Sequence, residues 1–506
     1  MKLRTVLSLL LAFVFTSIQA QEITWGESSK NVTTANNYHP IGQEGDNTYV
    51  YHGKFSGVTV YDGEFKGIIE IYDGNLNLKT SVELEKKKKG QKKKDVSKVD
   101  KVVWTKENIL VIRSKHDKST DTKSIFSQVF NRSNSQLSPT EKLVGQVFSP
   151  KNNSTTLHCI TSEDRSKTLI YTKLKKVKGS PSEYAFFVLD EEGKLIWKRE
   201  TKFGKSSDTN YQDIELSNSG EVYAVITELD SSRDIEAISI CSLGENERDD
   251  NNYEIEPTYD LNFTGFDLEI SPKGTIVYSS LHRDGCYYEE IDSALSKSIV
   301  KNEFNINQLA DIVKFKSREE LGDKYVSSQI KTIDILKYAF HENGSTTILG
   351  QFFNKKTSKS SNGVVKTTHY YYDLIAVNID NSGKITWSKR VPKRHMAVNS
   401  AQYINVSVAT SNDKIQIFYN DHIDNFSNGI AKINVMGAKQ TEALKVEISS
   451  DGKVTKESIF NGIERKLMFD SWSSGQLSED MFFIYSAAPI KGMANYEKIS
   501  FGLMKL

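Results

Sequence analysis

Short runs in which apolar and polar positions alternate, rich in Val, Ile, Tyr, Phe and Thr and punctuated by Gly, Asn, Asp and Ser, recur from residue 38 to residue 505. A period of two puts alternate side chains on opposite faces of an extended strand, so the pattern predicts an all-β chain. Almost no segment keeps a helical period. The exception is 307–325, where Leu309, Ile312 and Val313 fall at i, i+3 and i+4 and predict a short helical insertion.

The strands come as two kinds of hairpin. Phe186 to Arg199 lies over Ile375 to Lys389 with Asp190, Gly193, Lys194 and Trp197 matching Asp380, Gly383, Lys384 and Trp387. Each copy reads as strand, tight Asp/Gly turn, strand. Weaker copies surround Gly452-Lys453 and Asp73-Gly74. Between them lies a second hairpin type, as at Leu216 to Tyr223 and Ile270 to Val277. The alternation makes four-stranded antiparallel units near 38–85, 100–147, 155–201, 211–261, 265–304, 331–391, 402–459 and 466–505. That is eight units, with seven as the alternative. Four-stranded sheets repeated radially make a β-propeller. The last unit supplies three strands, and Glu22 to Glu27, centred on Trp25, reads like the outer strands around Trp197 and Trp387. Residues 22–27 are therefore expected to complete the C-terminal unit and close the ring, giving one domain over 21–506.

The hairpin Asp190-x-x-Gly193-Lys194-x-x-Trp197, repeated at Asp380-x-x-Gly383-Lys384-x-x-Trp387, resembles the repeat of propellers of the pyrroloquinoline-quinone type. The acidic residue stands one position nearer the Gly than in the usual form. That group holds quinone-cofactor dehydrogenases and non-enzymatic outer-membrane assembly factors. The resemblance implies a fold, with Trp docking between adjacent blades, and no particular function. Local physics explains the residue types: Gly gives the turn its backbone freedom, Asp bonds amides across it, and Trp supplies contact area.

Composition adds a compartment. The 506 residues are 38% hydrophobic and 26% charged, with 66 basic against 65 acidic residues, which excludes a disordered chain. Met1 to Arg4 is a basic start, Val6 to Phe15 an apolar core and Ser17 to Ala20 a small-residue cleavage site, so 1–20 reads as a signal peptide. No later stretch is apolar enough to span a membrane, and the mature chain is expected to be a secreted or periplasmic, bacterial monomer. Three cysteines are too few for a disulfide framework; Cys159 and Cys241 read as small buried hydrophobes.

No His-Glu-x-x-His, Cys-x-x-Cys, Gly-rich phosphate loop or Gly-x-Ser-x-Gly elbow occurs, so no catalytic residue, metal or cofactor is assigned. Inner-strand carboxylates such as Asp213 and Asp267 would lie in or near the channel, with nothing in the sequence pairing them. Charge, however, segregates. Assigning connections to the two propeller faces puts Lys86, Lys87, Lys88, Lys89, Lys92, Lys93, Lys94, Lys175, Lys176, Lys355, Lys356, Lys393 and Arg394 in loops on one face, and the acidic run from Glu245 to Glu256 on the other. A basic face attracts anions. The expected function is a non-catalytic binding or scaffolding module for a protein or an anionic polysaccharide such as lipopolysaccharide, not nucleic acid. The rival is a glycan-processing or oxidoreductase enzyme with its site at the channel mouth. The exported chain should begin at Gln21; an intact mass that retains residues 1–20 would overturn the leader assignment.

Overall fold

Alternating sequence becomes alternating burial. In the computed structural model the strands His158–Thr161, Lys167–Lys173, Glu183–Asp190 and Leu195–Lys202 pair in that order, with Cys159 opposite Ile170, Leu169 opposite Val188 and Val188 opposite Trp197. The two middle strands are buried almost throughout, because a sheet covered on both faces puts both sets of side chains out of water. The structure describes residues 23–506 apart from 34–37, 57–63, 86–96, 151–154, 175–181, 204–208, 230–234, 257–264, 283–284, 306–331, 361–362, 400, 412, 429–433, 436–440 and 490–494. The leader at 1–20 and the helical insertion at 307–325 lie outside the described residues.

Among the described residues, eight mainly antiparallel sheets of four to six strands follow one another along the chain. Sheet I spans 38–83, sheet II 98–148, sheet III 158–202, sheet IV 209–255, sheet V 265–305, sheet VI 332–398 and sheet VII 407–461. Sheet VIII spans 468–505 and takes in two strands from the other end of the chain. Ile23–Trp25 pairs antiparallel with Asn495–Lys505, Ile23 opposite Met504 and Trp25 opposite Gly502, and Ser29–Thr33 continues along the same strand. The strand boundaries fall within a few residues of the units read from sequence. The fold is a β-propeller. Among the described residues no helix is long and apolar enough to cross a membrane.

The core lies between sheets. Leu169, Phe186, Val188 and Trp197 of sheet III pack on Ile214, Val222 and Ala224 of sheet IV. Comparable clusters join every other pair of successive sheets. Another joins Phe483, Tyr485 and Phe501 of sheet VIII to Tyr38, Val50 and Tyr72 of sheet I. The first strand of each sheet also touches the first strand of the next, and Tyr38–Glu44 touches Gly475–Ser478.

The repeated motif ties these interfaces together. Asp190 Oδ1 accepts from the amides of Glu192 and Lys194 at 3.0 and 2.8 Å, and Asp380 Oδ1 from those of Ser382 and Lys384, both at 2.9 Å. Gly193 and Gly383 sit at φ 71° and 82°, the left-handed region that favours glycine. Trp197 Nε1 donates to Gly220 O of the next sheet at 3.1 Å, and Trp387 Nε1 to Ser450 O of its next sheet at 2.8 Å. Gly452 lies beneath the Trp387 ring, where a Cβ would come within 2.8 Å of it. Trp25 packs edge-on to Phe460 of sheet VII, with the Arg465 guanidinium 3.8 Å from its ring centre. Cys159, Cys241 and Cys286 are all free thiols.

One substitution and one deletion test this frame. Trp197→Ala should cost about 3–5 kcal/mol in urea unfolding, since it removes both a buried ring and an intersheet hydrogen bond. Deleting residues 21–28 strips Ile23–Trp25 from sheet VIII and should lower the melting temperature; an unchanged melting temperature would show that this strand contributes nothing to cohesion.

Candidate functional site

The first strands of sheets IV, V and VI bring together the carboxyl groups that the sequence left separate. Residues 213–217 read Asp-Ile-Glu-Leu-Ser and residues 267–271 read Asp-Leu-Glu-Ile-Ser. Each pentad runs out of the first strand into the following turn, and these two first strands touch, so that Asp213 interacts with Asp267 and Glu215 with Glu269. Asp213 Oδ1 accepts from the amide of Ile214 and Oδ2 from the amide of Leu268 in the next sheet, both at 2.9 Å.

Asp213 and Asp267 also share a hydrogen bond, which requires one proton between them. Burial raises the Asp213 carboxyl, while burial and the Asp213 charge hold Asp267 well above the usual carboxylate range. Asp267 is therefore the donor and Asp213 the acceptor. Burial, then Glu269 and Asp213, also hold Glu215 well above that range. Burial raises Glu269 too, opposed by Lys337, whose Nζ lies 3.8 Å from Glu269 Oε2. Tyr338 donates to Asp267 O at 3.1 Å and meets Ser279 Oγ, fixing the strand from sheet VI. All four residues are half-buried.

Other first strands add different chemistry. His39 of sheet I has its imidazole held below the usual range by partial withdrawal from water and then by Lys101 of sheet II. Its backbone partner is Trp472, whose side chain is 53% exposed. Asp470 holds the Trp472 segment by accepting from the amides of Trp472 and Ser473 at 3.0 and 3.3 Å, and burial pushes its carboxyl up to about 6. Among the described residues, no group of three or more His, Cys, Asp or Glu side chains is placed to hold a metal ion.

The basic residues fare differently. Lys86, Lys87, Lys88, Lys89, Lys92, Lys93, Lys94, Lys175 and Lys176 lie outside the described residues. Lys355 and Lys356 are exposed, but they belong to the strand Thr346–Lys359 and not to a loop. Lys393 and Arg394 correct the sequence reading, because they are buried at 0% and 7% exposure. The reason is an added strand: His395–Val398 pairs with the segment from Thr368 to Tyr371, drawing the preceding residues under it. Lys393 N donates to Asp373 Oδ1 at 2.9 Å and its Nζ to Ile404 O at 2.6 Å, between the rings of Tyr371 and Tyr419. Asp373 also receives Arg390 at 2.6 Å, and His395 Nε2 stands 3.6 Å from Asp421. Burial pushes the Lys393 amine down to about 7.

No family model matches the chain, and no curated protein matches it. Solved structures do. The Dos1 propeller aligns over 95% of this chain and 94% of its own, at 9% identity and a TM-score of 0.43. The polysaccharide lyase Uly1 aligns over 96% and 100%, at 9% identity and 0.39, and the WD40 domain of SCAP from fission yeast over 96% and 98%, at 8% identity and 0.37. These likenesses concern the fold alone.

Lys393 gives a signed pH test. Its folded amine loses its proton near pH 7, whereas an unfolded lysine does so near 10.4. Between those values the unfolded chain binds more protons, so this group makes stability rise with pH. Lys393→Met should therefore gain most over the wild type below pH 7 and lose at least about 1–2 kcal/mol of that advantage by pH 10, read from urea unfolding at both values.

Proposed function

We propose that the protein is an exported, non-catalytic binding propeller, a closed ring of eight blades joined by its two chain ends, that takes a glycan against the carboxyl-bearing wall of sheets IV to VI. The observation that carries this reading is the internal satisfaction of the Asp213–Asp267 pair. Both Asp213 oxygens already accept backbone amides, and Asp267 gives its proton to Asp213. Such a pair staples two blades and holds the wall in shape. Glu215 and Glu269, one step nearer the turn, are then the groups that offer hydrogen bonds to sugar hydroxyls. Their raised affinity for protons limits the negative charge on the wall, so an acidic glycan is not repelled at neutral pH.

The enzymatic reading has one observation in its favour. Glu215 and Glu269 are neighbouring carboxyls whose environments both favour protonation, the disposition of an acid/base pair. A glycan array followed by calorimetry separates the two. Under the binding reading, Glu215→Gln and Glu269→Gln each weaken a captured glycan by about tenfold and no cleavage product forms with the wild type. Product release by the wild type, abolished in a Gln variant that still binds, would establish the enzyme instead.

A further inference from the structure

Sheet VI departs from its siblings in strand length. Thr346–Lys359 and Val365–Ile379 run to 14 and 15 residues, against 7 and 8 for Lys167–Lys173 and Glu183–Asp190 in sheet III. The extra pairs continue from Phe353 opposite Tyr371 to Lys359 opposite Val365, so the excess forms a two-stranded arm. His395–Val398 braces its base, Val398 opposite Thr368.

The arm carries one sign of charge. Lys355, Lys356, Lys359 and Lys366 are exposed, and residues 352–372 contain no Asp or Glu. Two valines stand next to its turn. The turn closes through Gly363 N to Ser360 O and Ser360 N to Val364 O, both 2.9 Å. It leaves Val364 61% and Val365 55% exposed beside Lys359 and Lys366, with Val398 40% exposed lower on the same extension. Lysines alone would suit any soluble polyanion. Exposed valines beside the turn, flanked by lysines in a stretch of sequence without acids, match a surface that is anionic outside and hydrocarbon beneath.

We propose that this arm docks the protein on an anionic lipid bilayer, Val364 and Val365 entering the headgroup boundary while Lys355, Lys356, Lys359 and Lys366 sit over lipid phosphates. The proposal is independent of the glycan reading of the channel wall.

The test is sedimentation of the full chain with vesicles of phosphatidylcholine alone or mixed with phosphatidylglycerol, at low and high salt, with soluble heparin as a lipid-free polyanion. Wild type should bind the mixed vesicles, ignore the neutral ones and release in salt. Val364→Asp/Val365→Asp should weaken vesicle binding by at least about tenfold and leave heparin binding unchanged. Lys355→Glu/Lys359→Glu should weaken both. Glu215→Gln should bind vesicles like wild type, and the melting temperature of each variant checks that it has folded. Failure to bind mixed vesicles, or a valine variant that binds them as well as wild type, would overturn the proposal. In the second case, retained heparin binding would reassign the arm to a soluble acidic polymer.

Discussion

A sheet with apolar side chains on both faces cannot remain alone in water, and the described sheets of this chain are of that kind. Leu169, Phe186 and Val188 reach one way and Ile170, Ala185 and Phe187 the other, so sheet III needs sheet II and sheet IV at once. The requirement propagates from sheet to sheet and has no natural stopping point. It also explains why sheet VIII borrows Ile23–Trp25 from the opposite end of the chain and why its other face lies on Tyr38 and Val50. Two tryptophan indoles add direction to an otherwise greasy contact: a hydrogen bond to one particular carbonyl fixes how sheet III sits on sheet IV and how sheet VI sits on sheet VII.

Packing sheets this way forces their first strands together, and the carboxyl wall follows from that crowding. Asp213 bonds to Leu268 N because two strands from different sheets run side by side with no ladder between them. Four carboxyls gathered there cannot all stay ionised when partly withdrawn from water, so the protonation of Asp267 is a consequence of the architecture. The same crowding acts on Lys393, where an added strand buries an amine between two tyrosine rings. The long arm of sheet VI is the counterexample: beyond Phe353 the strands leave the interfaces that bury their siblings, and lysine and valine become exposed together.

Much of the blade pattern was legible because it is local. Strand alternation, the Asp/Gly turn and the recurring Trp are set by residues within about a dozen positions of one another, and the units read from them match the observed sheets closely. The Asp-x-Glu-x-Ser pentads at 213 and 267 were also visible, but their meaning required knowing that the two strands are neighbours. Lys393 and Arg394 misled for the converse reason. A run of basic residues after a strand reads as a solvated loop, and only the pairing of His395–Val398 with distant Thr368 to Tyr371 turns it inward.

The sequence by itself determined what one residue can decide with its near neighbours: extended backbone, tight turns and which face of a strand is apolar. The tertiary structure decided which strands from different hairpins touch, and with that which charges share a proton, which lysine is buried and which lysines meet solvent. Those outcomes depend on desolvation and on Coulomb interaction between residues tens of positions apart, and neither exists until the sheets have packed.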